Sequence, residues 1–266
     1  MQILSLVSRK GGTGKSTLAV ALAGAALEAG HKVCLIEADP LGTLSNWRAR
    51  RDCAEPAVET VYDGYALTQR VRKLASEDFT LAIIDTAGGW SETFNAAVGA
   101  ADLCLIPARP SLADIEATGP ALSAVRSAGK PFAFILNQAP VRSFRVGNAA
   151  NVLSEAAAAA GIGEVIASPA IVARNDQQDA LAKGVTVLEF AAEGKSAGEI
   201  RSLWQWVSAR LEMLANAGLS VEEVATAPIE QDGVQQDSAS EDNFDESEGS
   251  FDSTAVNEHN TVGIAV

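Results

Sequence analysis

Residues 5–20 read SLVSRKGGTGKSTLAV, and the order of residue types within this stretch decides the fold. An apolar run, Ile3 to Val7, has the length and composition of a buried strand. Gly11, Gly12 and Gly14 then loosen the chain, and Ser16 opens an alanine-rich helical pattern running to Gly30. Strand, glycine loop and helix in that order make a cradle for phosphate. Backbone N–H groups of the loop wrap the anion, and the helix N-terminus adds partial positive charge. The Lys15 ammonium reaches the β and γ phosphates of a nucleotide, and the Ser16 hydroxyl is placed to ligate Mg²⁺. Gly11, Gly12, Thr13, Gly14, Lys15, Ser16 and Thr17 are the predicted nucleotide-binding residues.

Outward from this loop, short apolar runs alternate with helical patterns. The runs are Ile3 to Val7, Lys32 to Ile36, Leu81 to Ile84, Leu103 to Pro107, Phe132 to Leu136 and Val165 to Ala167. Such alternation predicts an α/β fold, a mostly parallel twisted sheet flanked by helices on both faces. Ligands of such sheets sit at the carboxyl ends of the strands. The second run ends in Glu37 and Asp39, the third in Asp85 followed by Gly88 and Gly89, and the fifth in Asn137. An unpaired carboxylate emerging from four apolar residues is costly, so Asp85 needs a cation, and nucleotide-bound Mg²⁺ is the natural one. Near the carboxyl end, Ile200, Leu203, Trp204, Val207 and Leu211 recur at three- and four-residue spacings, a core stripe. Trp206 falls off that stripe and is either a surface residue or part of a partner contact.

Charge divides the chain in two. Residues 1–220 carry every lysine and arginine and a net charge of about −2, while residues 221–266 hold only acids, a net of about −12. That segment has too little apolar surface to offset its chain entropy. The expected division is a P-loop nucleotide-binding domain over residues 1–217 and an acidic disordered tail over 218–266. The tail either solubilises the protein or folds back over a basic face. Cys34, Cys53 and Cys104 are widely spaced and read as thiols of a reduced compartment. No CxxC pair, histidine cluster, signal sequence or long apolar span is evident, so a cytoplasmic protein is expected.

Lys10 is what the phosphate loop alone does not require. The segment Lys-Gly-Gly-x-Gly-Lys-Ser-Thr resembles the deviant Walker A box of the ParA/MinD family of P-loop ATPases, and the resemblance extends over about residues 1–215. Arg9 stands where the standard P-loop pattern has glycine. The resemblance implies that Lys10 reaches across a dimer interface to phosphates held by the other subunit, so that two ATP molecules are sandwiched in a homodimer. From the residues alone, Lys10 attracted to its own nucleotide remains open. By the same resemblance Lys10, Lys15 and Asp39 are the catalytic set, with Asp39 placing the attacking water. Ser16, Asp39 and Asp85 then hold the metal. Glu37 replaces the family's aspartate, and its extra methylene shifts contacts to Mg²⁺-bound water. The loop Gly42 to Asn46 corresponds to switch I, and the segment after Asp85 to switch II. Asn137 falls where the family often places an asparagine on the adenine edge, although an asparagine after a strand is also a common turn residue.

In ParA-type relatives the ATP dimer binds DNA without sequence preference, and a ParB-like or cargo-bound adaptor stimulates slow hydrolysis. The resemblance therefore implies nucleoid association and a role in segregating or positioning plasmid or chromosomal DNA. The loop begins within ten residues of Met1, which matches the small branch of the family. Candidate DNA contacts are Arg142, Arg145, Arg174, Lys183, Lys195 and Arg201, which either cluster on one face or are ordinary solvated charges. The alternative cargoes are protein clusters or a conjugation or T-DNA transfer complex. A MinD-like membrane ATPase is disfavoured by the lack of a basic amphipathic helix at this terminus. Cluster-bearing reductases and tyrosine autokinases are disfavoured by the cysteine and tyrosine placement.

Overall fold

A computed structural model describes residues 1–89, 91–141, 144–159 and 165–225, with the side chains of residues 145, 156–159 and 218–225 left aside. The described chain makes one compact unit, Met1–Ala225. The expected acidic tail falls for the most part on residues 226–266, outside the described residues.

Seven parallel strands form one sheet: β1 (Gln2–Leu6), β2 (Val33–Ala38), β3 (Ala57–Thr60), β4 (Leu81–Thr86), β5 (Leu103–Ala108), β6 (Phe132–Leu136) and β7 (Ile166–Ala167). Their order is β3-β2-β4-β1-β5-β6-β7. Six are the apolar runs of the sequence, which bears out the α/β fold class. β3 was not anticipated, because its sequence AVET lies at the sheet edge, half-buried, and carries no apolar run. The central strands are buried on both faces and read as near-continuous apolar stretches.

Ten helices are described: α1 (Lys15–Glu28), α2 (Thr43–Ala49), α3 (Gly64–Leu74), α4 (Glu92–Ala100), α5 (Leu112–Glu116), α6 (Gly119–Ser127), α7 (Arg145–Ala159), α8 (Asn175–Ala182), α9 (Val187–Phe190) and α10 (Lys195–Ala225). Period-two alternation along the strands divides the core. Leu4, Leu6, Leu35, Ile83 and Leu105 face α1, α9 and α10, whereas Cys34, Ile36, Ile84, Cys104, Ile106 and Phe134 face α3, α4 and α7. The α10 stripe of Ile200, Leu203, Trp204, Val207 and Leu211 is buried in the first layer, and Trp206 packs beside it.

Helix α1 is alanine-rich because it is hemmed in along most of its length. An added Cβ at Gly24 would lie 2.9 Å from Thr186 Cβ, so this glycine lets α1 approach the turn before α9. Helix α2 closes against the same region, its Trp47 indole N–H donating to the Val185 carbonyl at 3.1 Å. Side chains of Asp63, Ser91, Ser111 and Thr186 accept from backbone N–H groups at the starts of α3, α4, α5 and α9.

Candidate functional site

Strand β1 lies between β4 and β5, so the loop after it opens at the middle of the sheet's carboxyl edge. The chain returns to one side of β1 through β4 and to the other through β5, which makes this the switch point where ligands bind in open parallel sheets. Gly12 (φ 75°) and Gly14 (φ 91°) take the left-handed conformation that turns the backbone from strand into α1. A cleft above the loop is lined by Gly11, Gly12, Gly14, Lys15, Ser16 and Thr17, together with Asp39, Leu41, Thr43, Ala87 and Gly88. All the loop residues predicted to bind phosphate except Thr13 thus share one cavity with the carboxylate predicted to act on it. Lys15 is only 7% exposed. Burial lowers its ammonium pKa, offset in part by the carboxylates of Asp85 and Asp39.

Asp85, at the end of β4, is fully buried, and neither carboxylate oxygen has a hydrogen-bond partner of good geometry. Burial pushes its carboxyl up to about 7, against the pull of the Ser16 hydroxyl and Lys15 and with repulsion from Asp39 and Glu37. Orphaned carboxylate oxygens beside a serine hydroxyl fit a hard divalent cation or the water such a cation carries. Ser16 and Asp85 therefore have the chemistry expected of a Mg²⁺ site. Glu37 does not join them. Its carboxylate accepts from the backbone N–H of Leu44 at 2.6 Å and of Ser45 at 3.1 Å, and from the Ser45 hydroxyl. The extra methylene thus commits this acid to the first turn of α2, while its charge still acts on Asp85. Asp39 lines the cleft while accepting from the Leu41 N–H at 3.0 Å, so it also pins its own turn.

The Lys10 ammonium forms an ion pair with Asp114 at 2.6 Å, within the same chain. Asp114 lies in the first turn of α5 and is also bonded to the Ser111 hydroxyl. Burial alone would raise the Asp114 carboxyl, but Lys10 and Ser111 outweigh it and hold the group below its ordinary value. The Lys10 side chain keeps 38% of its surface exposed, the Asp114 side chain 9%.

On the far side of the loop, Asn137 donates from Nδ2 to the Thr13 carbonyl at 2.8 Å. Arg109 donates from Nη2 to the Gly12 carbonyl at 2.7 Å, and Gln138 donates from Nε2 to the same oxygen at 3.0 Å. Arg109 Nε bonds Gln138 Oε1 at 2.8 Å. Asn137 and Gln138 also line a second cleft with Gly14, Thr17, Leu18, Ile171 and residues 172–175, 177 and 178. Asn137 thus reaches the place expected of a base contact, but one of its amide donors is engaged by the loop. Arg109, Asp114 and Gln138 were missed from sequence, although Arg109 and Gln138 lie just beyond strand ends, in PARPS and LNQAP.

The VirC1 protein family model matches residues 1–128. Protein virC1 of Rhizobium radiobacter is 36% identical over 122 residues, covering 44% of this chain and 52% of that protein. Maintenance of carboxysome distribution protein A of Gloeobacter kilaueensis is 35% identical over 118 residues, covering 43% and 52%. Protein ParA of Rhizobium radiobacter is 32% identical over 116 residues, covering 43% and 51%. Through this amino-terminal half, the chain is similar to proteins of the ParA/MinD family of P-loop ATPases. It spans about half the length of the relatives it matches. Among solved structures, MinD from Pyrococcus horikoshii complexed with Mg-ADP superposes with a TM-score of 0.62 at 20% identity, covering 80% of this chain and 98% of that one. The Cyanothece McdA(D38A)-ATP complex gives 0.59 at 19% identity, covering 78% and 96%. These structures share the fold.

Elsewhere on the domain, two of the six candidate DNA contacts are paired with acids. Arg174 forms a two-pronged ion pair with Glu199, both contacts 2.7 Å, and Arg201 one with Glu28 at 2.7 and 2.9 Å. Lys183 lies with its ammonium 4.6 Å from the Phe190 ring centroid, and Lys195 opens α10. Arg142 and the side chain of Arg145 lie outside the described residues. Cys34 and Cys104 are buried, and burial pushes both thiols up to about 12, which makes them inert core residues. Among the described residues no helix is long and apolar enough to cross a membrane.

Proposed function

We propose that this chain is a ParA-type ATPase that closes into a homodimer around two ATP molecules, binds DNA without sequence preference in that state, and positions or segregates DNA. The observation that carries the nucleotide reading is the pairing of a buried Lys15 with an Asp85 whose two oxygens are orphaned, beneath a glycine loop at the sheet's switch point. Loop amides and Lys15 bind the β and γ phosphates. Ser16 and Asp85 hold the magnesium ion, which supplies positive charge to the phosphates. Asp39, at the cleft wall, orients the attacking water. Hydrolysis is slow until a ParB-like or cargo-bound adaptor completes that geometry.

Lys10 supports the dimer. Its ammonium is partly exposed, and its only ion pair among the described residues is with Asp114. In the proposed dimer it leaves Asp114 for the phosphates of the facing subunit. A second reading, a positioner of protein clusters, draws support from the carboxysome-distribution relative and from the neutralised arginines Arg174 and Arg201.

Duplex DNA binding should be measured with ATP, with ADP, and with ATP after Lys10→Ala, each at two salt concentrations. The partition reading expects binding in the first condition only, weakening steeply with salt. A protein that dimerises with ATP yet ignores DNA would favour the protein-cluster reading. One that binds DNA equally in all three conditions would remove ATP from control of the surface.

A further inference from the structure

Three polar side chains from the ends of β5 and β6 converge on two consecutive carbonyl groups of the phosphate loop. Arg109 and Gln138 both donate to the Gly12 oxygen, and Asn137 donates to the Thr13 oxygen. A trans peptide is planar, and its N–H points opposite to its C=O. Pulling the Gly12 carbonyl outward therefore turns the Thr13 N–H inward, and pulling the Thr13 carbonyl outward does the same for Gly14. Asn137 and Gln138 line the cleft on one side of the loop, and the phosphate cleft opens on the other. We infer that Arg109, Asn137 and Gln138 form a positioning brace that fixes the Thr13 and Gly14 amides for phosphate, and that the main task of Asn137 is this brace and not the reading of the base. The inference rests on the proposed nucleotide binding and adds which residues shape the site.

Two further observations fit. Gln138 sits at φ 53°, a left-handed conformation uncommon outside glycine, asparagine and aspartate, and its side chain is held at both ends, by Arg109 and by Gly12. Strain of that kind persists where surrounding contacts over-determine it, and it gathers at ligand sites. Gly14 is bare on the Asn137 side, where an added Cβ would lie 2.4 Å from Asn137 Nδ2. The brace and the loop are thus in direct contact, with no room for a side chain between them.

The test uses the full chain and displacement of a fluorescent ATP analogue by Mg-ATP, by inorganic tripolyphosphate with Mg²⁺, and by adenosine. Tripolyphosphate has no base, so it separates phosphate positioning from base recognition. The variants are Asn137→Ala, Arg109→Ala, Arg109→Lys and the Arg109→Ala/Gln138→Ala pair, each checked for an unchanged thermal midpoint. Asn137→Ala and the pair should weaken ATP and tripolyphosphate by the same factor, about tenfold, and leave adenosine unchanged. Arg109→Lys should recover part of the loss, since an ammonium reaches Gly12 but cannot also hold Gln138 as the fork does. Loss of ATP with tripolyphosphate unaffected would overturn the brace, assign Asn137 to the base and leave the nucleotide reading intact. Unchanged or tighter binding of both would overturn it too. If the wild-type chain binds none of the probes, the nucleotide reading falls and takes the brace with it.

Discussion

Asp85 holds its carboxylate in a dry environment with both oxygens orphaned, which makes it a liability to the empty fold. Its folded pKa of about 7 stands above the model-peptide value of 3.8. The folded state therefore holds the proton more tightly than the unfolded chain, and stability falls as pH rises from the lower value through the upper one. Asp85→Asn removes the charge without changing the shape. In the nucleotide-free protein it should raise the thermal midpoint by several degrees at pH 8, with the gain shrinking toward pH 5, and should abolish Mg²⁺-dependent ATP binding. A midpoint shift that is the same at both pH values would show that the carboxyl does not titrate in this window. At this scale the sequence was legible where residues are neighbours: Lys15 and Ser16 follow from their own loop, and Asp85 from the apolar run before it. Arg109 and Gln138 were not, because they meet Gly12 across separations of 97 and 126 residues and nothing local marks them.

The element that depends most on one side chain is α2. It starts after a left-handed Gly42 with no side-chain cap of its own, and the Glu37 carboxylate from β2 takes that place by binding the Leu44 and Ser45 amides. Glu37→Ala should cost about 2 kcal/mol in chemical denaturation, because two buried donors lose their acceptor. Glu37→Asp falls one methylene short of α2 and should lose a comparable amount; full stability of that variant would mean the helix start finds its acceptors elsewhere. From sequence Glu37 is simply a strand-end acid, and its commitment to a helix start seven residues later depends on how the intervening turn closes. Strand β3 was hidden for a related reason. An edge position leaves AVET half-buried, so it lacks the apolar signature by which β1, β2, β4, β5 and β6 declared themselves.

For the whole molecule, the Lys10–Asp114 pair sets a competition between a contact within one chain and the proposed contact across two. Asp114→Asn frees the ammonium, so ATP-dependent dimers should form at a protein concentration lower by a factor of about five, read by light scattering. Lys10→Ala should form none, and an Asp114→Asn protein that dimerises more weakly than wild type would show that the pair assists assembly. The fold as a whole was legible, since each of the six intervals between successive parallel strands is bridged by at least one helix. The state of the candidate DNA contacts was not: Arg174 and Arg201 look available in the sequence until Glu199 and Glu28 are seen against them. Trp47 carries a last consequence. It is fully buried on α2, the helix whose first turn Glu37 holds, and its indole is bonded to the Val185 carbonyl beside the turn into α9. An indole so placed emits as a dry, shielded chromophore, and its spectrum registers any parting of α2 from that turn. With Trp90, Trp204 and Trp206 replaced by phenylalanine, the remaining indole is an optical gauge of the ground between the phosphate cleft and the far end of α2, with no dye attached.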